Sequence, residues 1–119
     1  MLLDDRELGA ELAELLEPFG DRMAVVVRGL MSYGSVAGGL GRLAALAGDP
    51  AAAAARFRQA IELEERAGAP IWATHHRLRL AETLLAQGDP EAAQLVERVA
   101  ADAAGSGLTR LAERAATLA

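Results

Sequence analysis

The 119-residue chain has no cysteine, no lysine and no asparagine, and its aromatic residues are one Trp, one Tyr and two Phe. Without cysteine there is no disulfide framework, no thiolate zinc site and no redox thiol, so nothing calls for an oxidising compartment. Without lysine a Walker phosphate loop cannot be completed. So few aromatics argue against a sheet core of large side chains, whereas alanine, about a quarter of the chain, favours closely packed helices. No apolar run approaches the ~20 residues of a membrane span. Asp4 and Asp5 near the start do not fit a secretion leader. All 12 basic residues are arginine against 17 acids, a net charge of -5 with no basic block, which argues against a phosphate backbone as the main partner. The expectation is a cytoplasmic protein with no direct nucleic-acid partner and no membrane partner. The weight of Ala, Gly, Arg and Leu is associated with GC-rich bacterial genomes.

The size implies a single domain, 1–119. From Asp4 to Glu17, Leu8, Leu12, Leu15 and Leu16 recur at helical spacing, with Asp5, Glu7, Glu11 and Glu14 elsewhere around the wheel, so 1–20 reads as a leading amphipathic helix that stops at "EPFG". Residues 21–31 stay open between a short helix and irregular chain, because Val25, Val26 and Val27 are stiff and Gly29 weakens a helix. From about Ser32 the stripe Tyr33, Val36, Leu40, Leu43, Ala47 predicts a helix, and Gly34, Gly38 and Gly41 leave a neighbouring backbone room to approach.

"AGDP" then reads as a joint. Gly48 ends one helix in the left-handed region, Asp49 caps the next, and Pro50 takes its first position. The helix 50–67 places Ala53, Phe57, Ala60, Ile61 and Leu63 on one side. Arg58 to Glu62 and Glu62 to Arg66 are expected as exposed i, i+4 pairs, and Glu64-Glu65 as exposed surface. "GAP" at 68–70 opens a helix over 70–86. "QGDP" opens another over 90–104 with Ala93, Val96, Val99, Ala100 and Ala103. "GSG" at 105–107 precedes a terminal helix within 108–119.

Placing the two Gly-Asp-Pro sites in register gives an offset of 40 residues that matches Leu40 to Leu80, Gly41 to Ala81, Gly48 to Gly88 and Ala53 to Ala93. Beyond the second site the spacing shortens by one, matching Phe57 to Val96 and Ala60 to Val99. Two helical hairpins result, 32–68 and a degenerate copy over 70–107, neither able to bury its apolar face alone. "LGRLAALAGDPAAAAARFRQAIELEE" resembles a tetratricopeptide repeat, with Leu40-Gly41, Gly48-Asp49, Ala53, Phe57 and Ala60 at that family's motif positions. The wider chain is similar to the carboxy-terminal repeat region of large bacterial signal-transduction ATPases, including LuxR-type and cyclase-linked regulators. The resemblance implies an all-α fold of antiparallel hairpins stacked as a short right-handed superhelix of five to six helices. It implies a fragment or a stand-alone relative, and carries over no catalytic residue.

No chemical motif competes with this reading. "GGLG" at 38–41 lies in a helical stripe, not between strand and helix. His75 and His76 could titrate near neutral pH, but adjacent helical positions point about 100° apart and lack the i, i+4 spacing of zinc ligands, so no metal site is expected. The serines and threonines have no nucleophile motif around them, so neither catalysis nor a cofactor is expected. In the repeat alignment the first helix of each hairpin lines the concave surface, which places Ser35, Arg42, His75, Arg79 and Glu82 at a candidate groove. The predicted function is a non-catalytic protein-interaction or scaffolding module of a bacterial transcriptional or signalling regulator, binding a protein partner or other domains of its own chain. The alternative is a sensor holding a small inducer in the same groove. Leu8, Leu12 and Leu15, left without a partner helix, predict self-association, such as a homodimer.

Overall fold

In a computed structural model, residues 5–21, 23–26 and 31–118 are described. Their elements run α1 (Asp5–Leu16), a 3-10 turn (Glu17–Phe19), β1 (Met23–Val26), β2 (Met31–Ser35), α2 (Val36–Leu46), α3 (Pro50–Arg66), α4 (Pro70–Ala86), α5 (Glu91–Gly105) and α6 (Thr109–Leu118). Each helix packs on the next, and α4 also meets α6, giving an all-α stack of antiparallel hairpins with one short two-stranded insertion. No described helix is long and apolar enough to cross a membrane.

The joints follow from local chemistry. Gly48, Gly68, Gly88 and Gly107 all take positive φ, between 70° and 81°, and each stands two residues past the last residue of a helix. At the first joint the Asp49 carboxylate accepts from the Ala52 amide at 3.1 Å, and Pro50 opens α3. At the third, the Asp89 carboxylate accepts from the Glu91 amide at 2.9 Å, and α5 begins one residue later than α3 does in its own unit.

The buried positions shift in the opposite sense, one residue earlier. The buried counterpart of Ala53 is Ala92, and Ala93 is exposed, so the expected match of Ala53 to Ala93 is corrected to an offset of 39 that holds through Phe57–Val96 and Ala60–Val99. One core gathers Ala53, Ala54, Phe57, Leu80, Leu84 and Ala92 between α3, α4 and α5. A second gathers Leu78, Val99, Ala103, Leu111 and Ala115 around α5 and α6.

Several expectations change. Within 21–31, Asp21 is a turn, and strand forms where a short helix or irregular chain is expected: Met23–Val26 pairs antiparallel with Met31–Ser35, with an irregular register between Met23 and Val25. β-branched Val25 and Val26 suit an extended strand; residues 22 and 27–30 lie outside the described set. The helix expected from Ser32 begins at Val36, with Tyr33 and Gly34 in β2. Gly38 and Gly41 make room for side chains, not for a backbone. A Cβ at Gly38 would stand 2.3 Å from His76 Nε2, and one at Gly41 would stand 2.7 Å from the Phe57 ring. Arg58 reaches across to Glu91 on α5, at 3.1 and 2.8 Å, and not to Glu62, which pairs with Arg66 at 3.4 Å.

Candidate functional site

α2, α4 and α6 carry the groove-facing positions. α2 turns Arg42, Ala45 and Leu46 toward α4, which answers with Arg79, Glu82 and Thr83, and these six residues with Phe57 line an open hollow of about 330 Å³. A neighbouring hollow of about 410 Å³ shares Arg42 and Leu46 and extends past Leu43 and Gly39 to Leu16 of α1. The two adjoin at Arg42 and Leu46, and the hollow between α2 and α4 is called the trough below. Glu82 is held from both sides, by Arg79 at 3.6 Å and by Arg114 from α6. Arg42 is exposed and among the described residues has no carboxylate partner. Arg42 and Arg79 thus border a hollow with Glu82, which Arg114 also holds, and the apolar lining is the buried Phe57 with the exposed Ala45 and Leu46.

Arg42, Arg79 and Glu82 are therefore brought together, with Arg114 added by α6. His75 is half-buried beside them, its ring tilted against Trp72 at 5.4 Å, and does not line either hollow. Burial first, then His76, Arg114 and Arg79, push the His75 imidazole below the usual histidine range. Ser35 is not in the groove: it is buried as the N-cap of α2, its Oγ accepting from the Gly38 amide at 3.2 Å. That removes it from the candidate contact surface.

Ser35 belongs to an interior network centred on Glu64, which is fully buried and not on the exposed surface expected for Glu64-Glu65. The Ser35 amide and hydroxyl donate to Glu64 Oε2 at 2.8 and 3.1 Å, and His76 Nδ1 meets Oε1 at 2.7 Å. The His76 imidazole stacks between Phe57 and Trp72, at centroid distances of 6.1 and 6.2 Å. A base relay needs the histidine between serine and acid. Here the acid lies between them, so His76 does not contact Ser35 and the hydroxyl is spent on the carboxylate and the helix cap. The network joins the end of β2 to α3 and α4.

A larger cleft, about 580 Å³, lies elsewhere, between the α3–α4 joint and α5. Its walls hold a closed set of charges: Arg77 pairs with Glu65 and approaches Asp102 at 3.9 Å, while Arg98 approaches Glu65 at 3.8 Å and Asp102 at 3.6 Å. The Arg77 side chain is buried, and that burial, with Arg98 nearby, lowers its pKa against the pull of Asp102. Sequence reasoning missed Arg77 and Glu64, although Ala73, Arg77, Ala81 and Leu84, like Phe57, Ala60 and Glu64, fall at core-facing helical spacing. Among the described residues no three His, Cys, Asp or Glu side chains gather as a metal site.

Compared with protein families, curated proteins and solved structures, the chain matches none.

At the other end of the stack, Leu8, Leu12 and Leu15 are 48%, 41% and 70% exposed. α1 seats its adjacent face on α2 instead, where Gly9 lies close enough that a Cβ would touch Leu46 at 3.4 Å and Leu43 at 3.6 Å. The leucine ridge remains on the surface.

Proposed function

We propose that the chain is a non-catalytic protein-interaction module of tetratricopeptide-like design, and that its trough takes an acidic polypeptide segment. The observation that carries this reading is the charge set of Arg42, Arg79 and Arg114 against Glu82, beside the exposed apolar Ala45 and Leu46. A guanidinium with no carboxylate partner offers bidentate hydrogen bonds to an incoming carboxylate at little desolvation cost on an exposed wall. The hairpin stack and the recurring joint support the repeat design, and a setting in a cytoplasmic bacterial transcriptional or signalling regulator rests on sequence resemblance alone.

A labelled, Glu-rich amphipathic peptide tests it by fluorescence anisotropy. Binding that falls at least tenfold with Arg42→Glu, and falls again with added salt, is expected. Equal affinity of parent and variant, or equal affinity for a Lys-rich peptide, would refute the groove as the site.

The sensor reading keeps one specific support: both hollows, and the separate cleft, lie within the roughly 300–1,000 Å³ of small-ligand pockets. A thermal-shift screen with small carboxylates separates the two. A rise in Tm with such a ligand and none with the peptide would favour the sensor.

A further inference from the structure

We propose that the trough of one molecule receives α1 of a second copy, and that the exchange is reciprocal. The proposal deepens the groove reading above and rests on it. Its basis is a segregation of charge along the chain. Between Asp5 and Glu17 stand five acids and one arginine, whereas the trough gathers Arg42, Arg79 and Arg114 around Glu82.

The shapes agree with the charges. At about 100° per residue, Leu8, Leu12 and Leu15 lie within an arc of roughly 60°, and Glu11 and Glu14 flank that ridge on the side away from Leu16. The exposed face of α1 is thus an apolar ridge with an acidic shoulder, while its other side is held on α2. Pairing two such helices antiparallel sets acid beside acid, and no α1–α1 pairing brings a cluster of cations to either shoulder. The trough supplies both requirements, exposed apolar lining at Ala45 and Leu46 and cations at Arg42, Arg79 and Arg114. Reciprocal exchange uses the same two surfaces on each copy and so closes as a twofold dimer. It also occupies the trough, so an acidic partner segment binds in competition with the dimer.

Two variants and their mixture test this by sedimentation velocity. Leu12→Glu breaks the ridge and leaves the trough intact; Arg42→Glu with Arg79→Glu reverses the trough and leaves the ridge intact. The parent is expected to dimerise, with affinity reduced at least tenfold in about 0.5 M salt. Each variant alone is expected to be monomeric. Mixed, they should form a 1:1 complex, because one intact ridge meets one intact trough. A parent that stays monomeric at its highest soluble concentration overturns the proposal. So does a trough variant that dimerises as tightly as the parent, which would mean ridge-to-ridge contact. So does a mixture that stays monomeric when both variants melt like the parent; should either melt lower, the pair Leu15→Glu and Arg42→Ala, both at exposed positions, replaces them under the same criteria. Binding of the Glu-rich peptide to monomeric Leu12→Glu separates the two readings. Peptide binding to Leu12→Glu while the parent fails to dimerise sinks the exchange alone, and loss of both sinks the groove as well.

Discussion

Glu64 and His76 meet at 2.7 Å in the interior, twelve residues apart on successive antiparallel helices, and the other oxygen of the same carboxylate takes the amide and hydroxyl of Ser35. The corresponding position in the second hairpin is the buried Ala103, so this polar junction belongs to the first hairpin alone, where a strand must be fastened to a helix start. Removing the carboxylate strands several buried donors, each of which costs about 1–3 kcal/mol when left unsatisfied. Glu64→Leu is expected to lower stability by about 3 kcal/mol. Urea denaturation followed by circular dichroism measures it, and a loss below about 1 kcal/mol would show that the donors find other partners.

Three neighbouring glycines should respond in opposite directions to the same change. Alanine favours a helix over glycine by about 1 kcal/mol. At Gly39 a Cβ meets nothing within 4 Å, so Gly39→Ala is expected to stabilise. At Gly41 the Cβ would stand 2.7 Å from the Phe57 ring, and at Gly38 2.3 Å from His76 Nε2, so overpacking of about 1–3 kcal/mol outweighs the propensity gain. The second hairpin carries Ala81 and the smaller Val96 at the positions of Gly41 and Phe57. Adding Phe57→Val to Gly41→Ala should therefore cost less than the sum of the two single changes, and a double-mutant cycle measures that coupling.

These residues also mark what was legible in the sequence. The joints were, because positive φ at Gly48 and capping by Asp49 are local requirements that single residues satisfy. The helices over 50–66 and 70–86 followed from those joints and from apolar spacing. The β-hairpin was not, since Gly29 and Gly34 permit turn, strand or weak helix alike. Glu64 and Arg77 were hidden by their type, because a charged residue is assigned to the surface unless its partners are known, and those partners lie on other helices. Arg42, Arg79 and Glu82 could be grouped from repeat register, whereas Arg114 could not, as α6 begins a unit with no second copy to align.

Histidine titration gives a pH dependence. Burial and three neighbouring basic groups hold the His75 pKa below its unfolded value near 6.5. The unfolded chain therefore binds the proton more readily, and stability rises with pH in the interval between the two values. The contribution is fully present above about pH 6.5 and is lost as pH falls through the folded-state value. Melting curves from about pH 7.5 to 5.0 are expected to fall more steeply for the parent than for His75→Gln. Parallel curves would assign the acid sensitivity to other groups.

Two arginines on the inner helices separate binding from scaffold. Arg42 is exposed on the trough wall, and Arg42→Ala is expected to leave stability within about 0.5 kcal/mol while weakening the acidic peptide. Arg77 is buried, its stem packed in α4 and its guanidinium set against Glu65 and Asp102. Arg77→Ala removes that packing and leaves Glu65 and Asp102 with Arg98 alone, so a loss of about 2 kcal/mol is expected, with peptide affinity per folded molecule unchanged. Measuring both quantities on both variants decides whether the recognition charges and the structural charges are in fact distinct, and an Arg77→Ala protein that folds normally but no longer binds the peptide would move the site from the trough to the cleft beside α5.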